Sequence, residues 1–141
     1  GVERSDWRDA ERDLAAEVTR RLVHTIATVS PGAKLGSTAP YARPHLMMVE
    51  AGDAQPRTLA NAFLDPVVRT REGSDAVRGL LTKTYRTLAE YVGQVDEAYG
   101  GPDARGQLGV GPRGDLGELG ADVTPLDALA DWAGGQVRGA A

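Results

Sequence analysis

Residues 45–50 have the sequence HLMMVE, an apolar run of strand length between Pro44 and the pair Gly52-Asp53. A run of this length bounded by turn residues favours a strand that is buried on both faces. Because a single strand cannot satisfy its own backbone hydrogen-bonding groups, it needs partners on both edges. Residues 107–110 are the only other candidate strand, and a weak one. The sequence therefore predicts a strand that is short of partners within this chain.

A long helix is predicted before this strand, over residues 5–29. Ser5 is a suitable N-cap, and Ser30-Pro31-Gly32 ends the helix. The apolar residues recur at three- and four-residue steps, which is typical of a helix that buries one face. That stripe consists of Trp7, Leu14, Val18, Leu22, Ile26 and Val29.

Two further helices are predicted after the strand, over residues 74–99 and 124–133. In the first, Val77, Leu81, Leu88, Val92 and Val95 are expected to face inward. The second begins at Thr124-Pro125 and is expected to end at Gly134-Gly135, with a frayed tail beyond. Residues 100–120 contain eight glycines and are expected to be irregular. Together these elements predict an α+β fold.

The composition excludes several classes of protein. The chain has 141 residues, about one domain, and a net charge of −4, so any nucleic-acid binding must use local patches. The absence of cysteine excludes a disulfide framework, thiolate zinc sites and a cysteine nucleophile. No apolar run approaches the ~18 residues of a membrane span. We therefore expect a cytoplasmic domain with no membrane partner.

Two patterns in the sequence could indicate a catalytic or cofactor site. The two histidines, His24 and His45, have no neighbour at metal-ligand or catalytic spacing. Residues 109–114 match the dinucleotide fingerprint G-x-G-x-x-G, but Pro112 and the glycines that follow oppose the helix that such a site requires. The sequence therefore predicts no cofactor and no enzymatic activity, and residues 109–114 are interpreted as a loop.

Basic residues are concentrated in one part of the chain. Five of them lie within eighteen residues that contain only two acids, and the alternation of Arg69 and Arg71 could project both guanidinium groups to one side. Lys34 follows Pro31-Gly32 at the end of the first helix. It could either complement the helix dipole or contact a phosphate that approaches the glycine-containing loop, and the residues alone do not decide between these roles. The five basic residues are Arg69, Arg71, Arg78, Lys83 and Arg86.

Several blocks in this order resemble the CasC backbone subunits of type I-E CRISPR Cascade, in the Cas-seven family. The resemblance extends from Leu22 to Trp132 and includes an aromatic residue, Tyr41, in the loop before the strand. Its blocks are PGAK at 31–34, LMMV at 46–49, LANAF at 59–63, VRTREG at 68–73 and TPLDAL at 124–129.

The resemblance implies a hand-shaped protein whose palm is an RRM-like (ferredoxin-like) domain. It covers the C-terminal portion of that protein, so we expect the chain to be a C-terminal fragment. Residues 5–29 would be the second palm helix, residues 45–50 the last palm strand, and residues 74–99 and 124–133 the C-terminal helices. The missing partners of the strand would then belong to the first palm strand, the fingers and the thumb, which are absent here.

The implied function is a non-catalytic scaffold for CRISPR RNA in antiviral defence. Its implied partners are CRISPR RNA, target DNA, further copies of itself and other Cascade subunits. The resemblance assigns guide RNA contacts to Lys34 and Arg43, and a grip on target duplex DNA to Arg69 and Arg71. Asn61 and Phe63 would order their loop rather than bind a ligand.

Two other functions remain open at the level of the sequence. One is a self-associating helical protein-interaction module without nucleic-acid binding, which would use the apolar faces of the strand and long helices. The other is a small nucleotide-dependent enzyme built on the glycine motif at residues 109–114.

Overall fold

A computed structural model of the protein describes residues 9–29, 43–67, 75–111, 114–117 and 119–139. The chain has an α+β fold, as predicted. Its helices are α1 (Asp9–Thr28), α2 (Asp75–Tyr99) and α3 (Leu126–Gly139), its strands are β1 (Leu46–Ala51), β2 (Ala104–Gly109) and β3 (Ala121–Asp122), and short 3₁₀ helices lie at Ala60–Phe63 and Gly114–Leu116.

The three strands form one mixed sheet in the order β1-β2-β3. β1 pairs with β2 antiparallel from Leu46 opposite Gly109 to Ala51 opposite Ala104, and β2 pairs with β3 in parallel. The prediction that residues 100–120 are irregular is therefore wrong, since β2 supplies a complete partner for one edge of β1. Among the described residues, no strand pairs with the other edge of β1.

The glycines of β2 weaken its strand signal in the sequence, because glycine has a low strand propensity. At Gly106 it is required by packing, since a Cβ atom there would lie 2.8 Å from the Trp132 ring. The indole of α3 thus lies directly on the backbone of β2. This close approach explains why a residue with poor strand propensity lies in the middle of the sheet.

The register decides which backbone groups of β1 face the open edge. The amide of Val110 donates to the carbonyl of His45 at 2.8 Å, so these two residues form a hydrogen-bonded pair that extends the ladder by one step. Hydrogen-bonded pairs alternate along an antiparallel ladder, so Met47 and Val49 also pair with β2 through their backbones. The amides of Met48 and its alternate neighbours therefore point away from β2, toward the open edge.

Helices cover both faces of the sheet. On one face, α3 packs on β1 and β2, and α1 packs on α3. On the other face, α2 packs with the 3₁₀ helix at 60–63. A hydrophobic cluster lies on each face. The cluster on the α3 face contains Val23, Leu129, Ala130 and Ala133, with Met47, Val49 and Leu108 packed against them. The cluster on the α2 face contains Ala62, Leu88 and Val92, with Leu46 and Leu59 packed against them.

The face that α1 buries is not the predicted apolar stripe. Its buried residues are Ala16, Val23 and Ala27, whereas the described members of the stripe, from Leu14 to Val29, are exposed. Small residues occupy the contact between α1 and α3 because they let α3 approach the α1 backbone closely. The expectation that the stripe is the buried face is therefore wrong.

The same contact explains why α3 continues beyond its predicted end. Gly134 and Gly135 lie inside the helix, which extends to Gly139. Gly134 is buried against α1, where a Cβ atom would lie 2.9 Å from the carbonyl oxygen of Ala16. Glycine is used here for close packing rather than for helix termination. The predicted frayed tail is thus helical as far as Gly139.

The two adjacent glycines give a matched test of this contact. We expect Gly134→Ala to lower the free energy of unfolding by about 1–2 kcal/mol, because the methyl group meets the α1 backbone. Gly135→Ala meets nothing within 4 Å and should raise it by up to about 1 kcal/mol through helix propensity. Urea denaturation measures both, and stabilisation by both substitutions would contradict the close α1–α3 contact.

Candidate nucleic-acid interface

Of the four predicted nucleic-acid contacts, Arg43 lies in the described part of the chain. It is exposed and precedes β1 by three residues, on the chain segment that enters the sheet. Lys34, Arg69 and Arg71 lie outside the described residues, so their roles stay predictions. Arg43 is therefore the one predicted contact whose surroundings the described residues show.

Tyr85 organises the end of the sheet next to Arg43. Its side chain is 1% exposed, and its hydroxyl lies 2.7 Å from the carbonyl oxygen of His45 and 2.8 Å from that of Val110. The hydroxyl shares its single proton between these two acceptors. This contact fixes α2 against the start of β1 and the end of β2, two residues from Arg43.

The direction of α2 follows from its contacts with the two ends of β1. Tyr85 meets the beginning of β1 at His45, whereas Asp96 meets the Glu50 end through shared arginine partners. The ten residues of α2 before Tyr85 span about 15 Å, so the helix begins on the Arg43 side of the sheet. Lys83 and Arg86 are close to Tyr85 in sequence and lie away from the buried face of α2.

Four charged side chains occupy the opposite end of β1. Arg57 donates to both carboxylate oxygens of Glu50 at 3.0 and 2.9 Å and to Asp96 at 2.5 Å. Arg105 donates to Glu50 at 2.9 Å and to both oxygens of Asp96 at 3.1 and 2.9 Å. We call Glu50, Arg57, Asp96 and Arg105 the ion quartet. It joins β1, β2, α2 and the segment after β1.

Both arginines of the ion quartet are committed to protein partners. The Arg105 side chain is 6% exposed, and its remaining nitrogen donates to the carbonyl oxygen of Leu119 at 2.7 Å. Arg57 is about one-fifth exposed and makes three hydrogen bonds to carboxylates. Such charge-assisted bonds are strong, so neither guanidinium group is available to a phosphate.

The pKa values of the ion quartet follow from these bonds. Hydrogen bonds from Arg57, then from Arg105, lower the pKa of Glu50 against the opposing effect of burial. Burial alone would raise the pKa of Asp96, but the bonds from Arg57 and Arg105 outweigh it and lower that pKa. The bonds to Glu50 and then Asp96 raise the pKa of Arg57. Glu50, Asp96 and Arg57 are therefore charged at neutral pH.

A cleft of about 600 Å³ lies beside the ion quartet. Its walls include apolar groups such as Met48 and Val95, and the exposed carboxylates of Asp53 and Asp103 lie at its rim. The two turns that form the rim touch, since a Cβ atom on Gly52 would lie 3.0 Å from the Asp103 carboxylate. This end of the sheet is unsuitable for a polyanion, because its arginines are committed to carboxylates and further carboxylates line the cleft.

The structure also shows what the remaining motif residues do. His24 is exposed, with Nε2 3.6 Å from Asp127, and no group of three or more metal-ligating side chains occurs in the described ranges. β2 ends at Gly109, the first residue of the glycine motif. However, a 3₁₀ helix of three residues follows at 114–116, too short to offer a pyrophosphate a helix N-terminus. The interpretation as a loop fits Gly111, whose φ is +89°.

Sequence reasoning missed the ion quartet. One of its arginines, Arg105, lies in the segment that was expected to be irregular. A usable signal was Glu50, a carboxylate that directly follows an apolar strand and must find a cation if it is partly buried. Asn61 and Phe63, which we expected to order their loop, are both exposed, and the 59–63 block packs mainly through Ala62 and Leu59.

Comparison with known proteins identifies the family of this chain. The family described as CT1975-like protein matches residues 4–132. The chain belongs to the CT1975-like family. This is a CRISPR-associated (Cas) protein family, so the protein has a CRISPR-associated role. The curated proteins contain no match to it. In the described ranges, no helix has the length and apolar character needed to cross a bilayer.

The ion quartet predicts that replacing its buried arginine, Arg105, strongly lowers the stability of the protein. Arg105→Leu leaves two partly buried carboxylates short of a cation, so we expect it to lower the free energy of unfolding by about 3 kcal/mol or more. Arg138→Leu is the matched control, because the Arg138–Asp13 pair is exposed and should cost no more than about 1 kcal/mol. Equal losses in urea denaturation would show that the quartet is not a buried network.

The dependence of the free energy of unfolding on pH in the acid range tests the same quartet. The pKa values of Glu50 and Asp96 are lowered from 4.5 and 3.8, so their contribution is present above those values and is lost as the pH falls through the lowered pKa values. Stability should therefore drop below about pH 4.5, and Glu50→Gln should flatten this drop. Glu97→Gln, on α2 outside the quartet, should keep the original slope. A Glu50→Gln profile as steep as the parent's would be inconsistent with these shifts.

Proposed function

We propose that this protein is a non-catalytic, CRISPR RNA-binding backbone subunit of a type I-E Cascade surveillance complex. The observation that carries the proposal is membership of the CT1975-like family over residues 4–132. The ordered blocks from PGAK at 31–34 to TPLDAL at 124–129 support the finer assignment to the CasC-type backbone. In this role the subunit organises the guide with other Cascade subunits and copies of itself.

The guide would be held through its backbone. Protein contacts to phosphates fix the position of a nucleic acid, whereas base pairing between guide and target supplies the specificity. Arg43 is an exposed cation at the entrance to β1, and Lys34 belongs to the loop between α1 and β1 in sequence. We assign guide phosphate contacts to this pair.

The distribution of charge supports one end of the sheet as the RNA side. Arg43 is exposed at one end of the sheet. At the other end, the arginines of the ion quartet are committed to carboxylates, and the exposed Asp103 lines the cleft. A polyanion is therefore attracted to the Arg43 end and repelled from the cleft, which fits a protein with net charge −4.

Target duplex DNA would be gripped by Arg69 and Arg71. These residues precede α2, whose first turn lies on the Arg43 side of the sheet. Arginine suits this role because its planar guanidinium group makes forked contacts to phosphates. Guide and target contacts would thus use different residues of one subunit.

Charge reversal in the assembled complex separates the two roles. Arg69→Glu with Arg71→Glu should weaken duplex capture and lower the salt slope of binding by about 2, with guide loading nearly unchanged. Lys34→Glu with Arg43→Glu should instead reduce the CRISPR RNA that co-purifies with the complex. Arg138→Glu, an exposed change on α3, is the control and should alter neither quantity. Normal duplex capture by the first double variant at physiological salt would refute its assignment.

A second function, a self-associating protein-interaction module without nucleic-acid binding, is favoured by one observation. The outer face of α1 is apolar and exposed, as a protein interface would be before its partner binds. Filter binding of the chain to single-stranded RNA distinguishes the two functions, because the module should show no salt-dependent RNA binding.

A further inference from the structure

The outer face of α1 carries a continuous apolar surface. Five aliphatic side chains on it are more than half exposed, and their spacing of three and four residues aligns them along one side of the helix. We call these residues the α1 stripe: Leu14 (66% exposed), Val18 (56%), Leu22 (55%), Ile26 (64%) and Val29 (65%). Single exposed aliphatic residues are common, but an aligned row of this length marks an interaction surface.

The α1 stripe is large enough for a modest interface between two copies. Covering it on both copies removes on the order of 1,000 Å² from water, the lower limit for a specific interface. The opposite side of α1 is already packed on α3 through Ala16, Val23 and Ala27. A partner helix can therefore approach the stripe without disturbing the fold.

The charges beside the α1 stripe favour a second copy of the same helix. Glu17 and Arg21 lie on one flank, with Glu17 Oε1 2.6 Å from Arg21 Nε. Their midpoint, position 19, nearly coincides with position 20, the midpoint of the four stripe residues that lie within α1, from Leu14 to Ile26. An antiparallel pair with its two-fold axis at this point therefore brings Arg21 of each copy beside Glu17 of the other. A parallel pair in register would instead turn this flank toward the opposite flank of the partner helix, so Arg21 would not meet Glu17.

We propose that two copies of this chain associate through an antiparallel α1–α1 contact centred between Val18 and Leu22. The contact is isologous and closed, so it joins two copies and does not extend into a filament. It requires no nucleic acid and is independent of the proposed RNA-binding function. The apolar stripe supplies the attraction, and the Glu17–Arg21 flank selects the antiparallel orientation.

Sedimentation velocity of the full 141-residue chain without nucleic acid tests the contact. We expect a dimer to form over ~1–200 µM, and Leu22→Glu to give a monomer throughout that range. Leu64→Glu is the matched control: Leu64 is 79% exposed but lies far from α1 in sequence, and its substitution should leave the dimer unchanged. A monomeric parent chain at the highest concentration would overturn the proposal, as would equal behaviour of the two variants.

Charge exchange tests the orientation and the identity of the partner. Glu17→Arg and Arg21→Glu should each weaken the dimer roughly tenfold at low salt. In each variant residues 17 and 21 carry charges of the same sign, so the flanks of the two copies repel each other. The double variant should recover parent affinity, and a mixture of the two single variants should form a mixed dimer. Circular dichroism checks that helix content is unchanged, since Glu17 also bonds to Arg20 within the helix. A double variant as weak as the single ones would overturn the antiparallel pairing.

Discussion

The antiparallel ladder between β1 and β2 is the constraint on which the rest of the structure depends. Tyr85 joins α2 to one end of this ladder through the carbonyls of His45 and Val110. The ion quartet joins α2 to the other end through Glu50 and Arg105, which face each other across the two strands. With both ends held, α2 lies along one face of the sheet, and α3 covers the other.

This arrangement separates charge along the sheet. The quartet neutralises its own arginines and leaves an acidic cleft beside Asp103, whereas Arg43 is exposed at the opposite end. A subunit that positions a polyanion needs such polarity more than it needs a high net positive charge. Membership of the CT1975-like family gives this geometry its CRISPR-associated context. The open edge of β1 and the α1 stripe are two further surfaces at which an assembly can form.

The sequence predicted the α+β class and approximate positions for all three helices, because capping residues and apolar periodicity are local signals. It offered only residues 107–110 as a weak strand candidate for β2, where Gly106 accommodates Trp132, and it assigned the wrong face of α1 to the core. Both errors have one cause: close approach to a backbone, by the Trp132 ring at Gly106 and by α3 at Ala16, favours small residues, which periodicity analysis discounts. The ion quartet was not predicted either, since Glu50 alone gave a signal and Asp96 and Arg105 are distant from it in sequence. Arg43 was identified only through a family resemblance.

Among the described residues β1 is paired along one edge, and native-state hydrogen exchange of the free protein tests directly whether its other edge is open. The amides of Met47 and Val49 donate to β2 and should be strongly protected. Those of Met48 and Glu50 point to the open edge and should exchange much faster. Alternating protection along the strand is the predicted result. Equal protection of all four amides would mean that β1 has a second strand partner, and it would contradict the account.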